Sequence, residues 1–167
     1  MAHRLTAVLD VLTGLLNRGA LVNRVGELTQ QSKLEPLDIG VVVLDIDHFK
    51  HVNDSYGHQR GDEVLAEFGR RLRRQLRAFD LAYRVGGEEF VVLVPGGTPR
   101  QTRELAERLV HAVRAEPLAG LTVTVSAGVA TSSAGTFDYD AVFARADAAL
   151  YSAKRSGRDQ VAAAATA

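Results

Sequence analysis

Four carboxylates fall in two pairs whose settings could do chemistry. Glu88 and Glu89 follow Gly86-Gly87 directly, and Asp45 and Asp47 close an apolar run that begins at Ile39. Gly86-Gly87 lies between two β-rich runs, Leu81 to Val85 and Phe90 to Val94, which predicts a hairpin. Glycine admits the positive φ angles that tight hairpin turns require. Acids at such a bend fill no core. Asp45 and Asp47, two apart on a strand, point to the same face. Carboxylates at a strand end before a polar loop suit a hard cation: Mg²⁺ takes one or two of them, and substrate phosphate and water supply the remaining oxygens. Asp45 and Glu88 would form such a donor set if their strands are neighbours. Each pair by itself is also compatible with a turn, a cap or a solvated hairpin tip.

The elements that must position these acids follow from periodicity and caps. Asn17 can cap a helix carrying Leu21, Val25 and Leu28 on one face. Residues 38–47 read as a strand, and His48 to Gly61 as a polar loop. Val64, Leu65, Phe68, Leu72 and Leu76 have the spacing of an amphipathic helix. Thr98-Pro99-Arg100-Gln101 has the form of a capping box, with Pro at the first helical position of a helix carrying Leu105, Leu109, Val110 and Val113. Leu121 to Thr131 alternates as a strand, and Val142, Phe143, Ala146, Ala149, Leu150 and Ala153 define a last helix that Gly157 can end. The predicted order is α-β-α-β-β-α-β-α, an α+β fold with a mostly antiparallel central sheet flanked by helices. Residues 1–9 read as the remnant of an N-terminal linker helix, 10–162 as one domain, and 163–167 as a disordered tail within a frayed, alanine-rich end.

Bulk properties narrow the class. A chain of 167 residues fits one domain with a substantial core. It has no cysteine, which excludes disulfides, thiolate chemistry and cysteine-based zinc sites. Lys plus Arg and Asp plus Glu balance at 20 each, so no global charge draws it to nucleic acid or to a membrane surface. Its apolar runs are too short to span a bilayer, and a cytoplasmic location is expected.

The motifs, taken in order, resemble the GGDEF family of diguanylate cyclases over about residues 10–160. They are Asp10 to Arg18; Asp45-Ile46-Asp47-His48-Phe49-Lys50; Asn53-Asp54, Gly57-His58 and Gly61-Asp62; Arg84-Val85-Gly86-Gly87-Glu88-Glu89-Phe90, the signature in its Glu variant; Thr124 to Gly128; and Ala146 to Arg158. The resemblance implies a fold similar to the palm of polymerases and class III nucleotide cyclases, and condensation of two GTP into cyclic di-GMP with release of two pyrophosphates. It implies that Asp45, the Ile46 carbonyl and Glu88 hold Mg²⁺ (or Mn²⁺), two ions per GTP, and that Glu89 is a further ligand or the base. Gly86 and Gly87 belong to the same nucleotide site. The amides of His48 and Phe49, with Lys50, Lys154 and Arg158, would cradle the β- and γ-phosphates. Asn53 and Asp62 would read guanine, whose adjacent N1–H and N2–H₂ donors suit a carboxylate. Asp62 is equally placed to be a helix N-cap.

Arg77-Ala78-Phe79-Asp80 resembles the family's RxxD site for inhibitory cyclic di-GMP, with Arg108 as a further contact. Two GTP-loaded domains facing each other across a two-fold axis imply a transient homodimer. The few residues before Asp10 cannot make the sensor domain that usually drives such pairing, so a sensor elsewhere in the full-length protein is expected. Two other readings remain open from the residues: a cyclic di-GMP receptor with weak catalysis, and a cyclase making a cyclic mononucleotide.

Overall fold

A computed structural model describes residues 8–133 and 135–165 of the protein. Helix α1 spans Arg18–Leu34, strand β1 Ile39–Ile46, α2 Phe49–Tyr56, α3 His58–Gln75, β2 Leu81–Arg84, β3 Glu89–Pro95, α4 Pro99–Ala115, β4 Val125–Thr131, α5 Tyr139–Arg155 and β5 Val161–Ala163. The sheet order is β2-β3-β1-β4-β5, antiparallel except for the β4–β5 pair.

β1 is the central strand because both its faces are apolar. Val42, Leu44 and Ile46 join Phe90, Val92 and Val94 in a core roofed by α2, α3 and α4. Val41 and Val43 join Val91 and Leu93 beneath α1 and α5. Phe68 and Phe90 meet in the first core with ring centroids 4.6 Å apart, a pairing that adds about 1 kcal/mol to simple burial. The caps form as the residue types dictate. Asn17 accepts from Ala20 N at 3.0 Å. Thr98 and Gln101 exchange both bonds of a capping box.

Several expectations are corrected. His48 to Gly61 is not a loop: Phe49 and Val52, three apart, bury one side of α2, and Gly57 (φ +87°) turns the chain directly into α3. Since α3 starts at His58, Asp62 stands in its second turn and is not an N-cap. Val8 and Leu9 are not helical; Leu9 forms an isolated bridge with Leu16, and residues 1–7 lie outside the described residues. Residues 163 and 164, expected in a disordered tail, belong to the fold: Val161 to Ala163 pair with β4 and Ala164 N donates to Val129 O at 2.8 Å, while residues 166 and 167 lie outside the described residues. Residues 122–124 precede β4 without joining it. Gly86 and Gly87 do not use the left-handed region; a four-residue loop closes the hairpin, with Val85 N donating to Glu89 O at 3.0 Å.

Candidate functional site

β1 and β3 are neighbours, with Asp45 opposite Glu89. Directly opposed residues of an antiparallel pair share a face, so these two acids meet on the α5 side of the sheet. Lys154, near the end of α5, answers them: its Nζ lies 2.6 Å from Asp45 Oδ2, both side chains partly buried. Glu88 stands one residue before β3, and its carbonyl accepts from Ile46 N at 3.3 Å.

A cavity of about 160 Å³ opens at this end of the sheet, lined by Asp45, Ile46, Asp47, His48, Phe49, Lys50, Glu88, Lys154 and Arg158. Eight of those nine were singled out in the sequence as ligand or phosphate residues. Glu89, Gly86, Gly87, Asn53 and Asp62 are not in its wall. Asn53 leans on α3, where a Cβ at Gly61 would overlap its Oδ1, and Asp62 is exposed with no hydrogen bond or ion pair among the described residues. The donors beside Lys154 are hard oxygens, the set that Mg²⁺ prefers.

The Glu89 carboxylate sits where charge is costly. Burial pushes its carboxyl above the ordinary range; Asp147 and Asp45 push the same way, and Lys154 and Arg18 oppose them. The folded state therefore binds the Glu89 proton more tightly than the unfolded chain does. That contribution to stability is full below the ordinary carboxylate pKa and is lost as pH rises through the elevated one. Glu89→Gln should melt above the parent protein at neutral pH, and the gain should vanish near about pH 3.5. Thermal melts at the two pH values check this.

Four residues have roles that the sequence reading did not assign to them. Arg84 donates to the Gly86 carbonyl at 3.2 Å and to the Gly87 carbonyl at 2.8 Å, and pairs with Asp10 at 3.2 Å, so it ties the acid-bearing turn to the start of the domain. Burial pushes the Asp10 carboxyl up, but hydrogen bonds from Thr13 and the Arg84 charge outweigh it and hold Asp10 below the ordinary range. Asp47 is 6% exposed and accepts from Thr124, Ser126 and the Asp159 amide. Arg114 grips the Asp159 carboxylate at 2.9 Å. The segment it grips is strained: Arg158 (φ +64°) and Asp159 (φ +51°) are successive left-handed non-glycine residues, each costing roughly 1–2 kcal/mol.

A second pocket, about 240 Å³, is lined by Arg77, Phe79, Asp80, Val94, Pro95, Gly96, Gly97, Gln101 and Leu105. Asp80 Oδ2 accepts from Arg77 N at 3.0 Å, closing a tight turn, and Phe79 is 81% exposed beside it. Arg108 is outside this wall; its guanidinium donates to Gln75 O at 2.9 Å. Glu89 and Pro95 end the same strand, which puts the two pockets roughly 20 Å apart.

Acids at the rim of a palm-like sheet, faced by cations from the first turn of α2 and the end of α5, form an arrangement that can hold a divalent cation and phosphate. The chain belongs to the GGDEF family: the family model described as "Diguanylate cyclase, GGDEF domain" matches residues 7–160. Among curated proteins, it is 46% identical to the diguanylate cyclase DgcP of Pseudomonas aeruginosa over 95% of the chain, and 40% identical to the response regulator PleD of Caulobacter vibrioides over 93%. It spans only 24% and 36% of those two proteins. A crystal structure of the coiled coil and GGDEF domain of DgcB from Caulobacter crescentus, in complex with c-di-GMP, superposes with a TM-score of 0.87 at 33% identity, covering 98% of this chain and 88% of that one. No helix among the described residues is long and apolar enough to cross a membrane.

Proposed function

We propose that this domain condenses two GTP into cyclic di-GMP, releasing two pyrophosphates. The observation that carries the reading is the cavity that gathers Asp45, Glu88, Lys154 and Arg158 around the end of β1, in a chain this similar to named diguanylate cyclases. Asp45, the Ile46 carbonyl and Glu88 would hold Mg²⁺, which when bound neutralises charge on the α-phosphate. Lys50, Lys154 and Arg158, with the His48 and Phe49 amides, hold the β- and γ-phosphates and orient the pyrophosphate to leave. Glu89 accepts the proton of the attacking 3′-hydroxyl, a role favoured by the upward displacement of its carboxyl. Asn53 and Asp62 select guanine from outside the cavity wall. One domain presents one GTP, so two copies face each other across a two-fold axis.

Concentrated protein incubated with GTP and Mg²⁺, with products separated by chromatography, tests this reading. Cyclic di-GMP and pyrophosphate are expected. Unchanged GTP, even with two copies forced together by a fused coiled coil, would leave only a receptor role.

The pocket of Arg77, Phe79 and Asp80 favours a second binding event, feedback by the product. A guanidinium that forks onto phosphate and a carboxylate that accepts from guanine are what a guanine dinucleotide needs. Arg108 joins this contact only if it leaves Gln75. Arg77→Ala is expected to raise the cyclic di-GMP concentration for half-inhibition by about tenfold or more while initial rates persist. Full inhibition of that variant by product would remove the assignment.

A further inference from the structure

Asp47 lies two residues after Asp45, yet its carboxylate is consumed by protein donors. Oδ1 accepts from Ser126 Oγ at 2.7 Å, and Oδ2 accepts from Thr124 Oγ1 at 2.7 Å and from Asp159 N at 3.0 Å. The last bond reaches the residue next to Arg158. Arg158 is exposed and its guanidinium makes no ion pair among the described residues, so only its backbone fixes where it stands at the cavity. That backbone is left-handed at both Arg158 and Asp159 and needs restraint from its neighbours to persist. Arg158 N is tied to Ala153 O at 3.0 Å, and Arg158 O accepts from Gln160 at 3.0 Å. Asp159 is held from outside by Arg114 and from inside by Asp47.

We infer that Asp47 is a positioning residue that sets Arg158 at the cavity, by accepting the Asp159 amide and so holding the left-handed pair. The inference rests on the reading that Arg158 contacts a GTP phosphate. It separates the paired aspartates by role: Asp45 faces the ligand, and Asp47 orients a cation that does.

Ser126 supplies the control, because losing its hydroxyl cuts the tie from Asp47 to β4 and spares the bond to Asp159. With 3′-deoxy-GTP and Mg²⁺ as the non-condensing probe, Asp47→Ala is expected to weaken binding about tenfold, close to Arg158→Ala, whereas Ser126→Ala stays within about twofold. Adding Arg158→Ala to Asp47→Ala should cost less than about twofold more, since both remove one contact. Amide exchange of the ligand-free protein reads the loop independently. Residues 157–160 should exchange faster in Asp47→Ala but not in Ser126→Ala, and the Asp159 amide should be protected in the parent protein. An unprotected Asp159 amide in the parent overturns the inference without any variant, as do additive losses of affinity. Faster exchange combined with Arg158→Ala binding as tightly as the parent overturns the phosphate reading, and the inference falls with it.

Discussion

Asp45→Asn is expected to lower cyclic di-GMP synthesis by about a thousandfold while leaving the fold in place. Among the described residues, Asp45 is the one acid that both lines the cavity and pairs with Lys154, at 2.6 Å. Amidation removes the charge a cation needs and also the partner that holds the Lys154 ammonium in place. The structural cost is far smaller, roughly 1–2 kcal/mol, because the Lys154 side chain is 31% exposed and water compensates it. Product formation followed at equal protein concentration, beside a thermal melt, separates the two effects. Retention of more than a tenth of the activity would remove Asp45 from the catalytic set.

The largest effect on stability is expected from a single methyl group. A Cβ on Gly128 would overlap the Ala146 carbonyl oxygen and the Leu150 amide nitrogen, both backbone atoms of α5. No rotamer change relieves a clash with backbone, so α5 would have to lift from β4, opening the core around Val142, Ala146 and Leu150. Gly128→Ala should cost at least about 3 kcal/mol, the upper range for overpacking, and lower the melting temperature by roughly 10 °C. Lys154 rides on the same helix, so GTP binding should weaken as well. A variant melting within about 2 °C of the parent would show that β4 and α5 do not approach this closely.

Much of this arrangement was legible in the chain because it rests on short-range rules. Asn17 and Thr98 cap where their side chains can reach orphan amides, and the apolar spacing in α3 and α4 marks faces that are buried. What escaped was decided by partners distant in sequence. α2 hides because only Phe49 and Val52 of its eight residues are buried, too few to show a period. β5 carries Val161 and two alanines and becomes a strand only through β4. Asp45 and Asp47 look equivalent at a spacing of two; their partners, Lys154 for one and Thr124, Ser126 and Asp159 for the other, lie some 80 to 110 residues away. Glu88 and Glu89 are likewise divided by register, since only Glu89 is paired with Asp45 across the sheet.

Both margins of the sheet are closed by very short pieces of chain. At one margin Leu16 bridges Tyr83 and accepts from Arg84 N at 2.8 Å; at the other, β5 covers residues 127–129 of β4. Beneath β5 lies a strand of seven residues, Val125–Thr131, six of them buried and none charged. Such a strand with a bare edge would be a template onto which another molecule's strand could add. On the proposed reading two copies must meet for catalysis, so crowding would favour activity, and crowding is also what promotes edge-to-edge growth. The three residues of β5 therefore bear on colloidal behaviour more than on architecture: on the proposed reading they leave copies of this domain to meet at the rim that carries Asp45 and Glu88 and not through an open sheet.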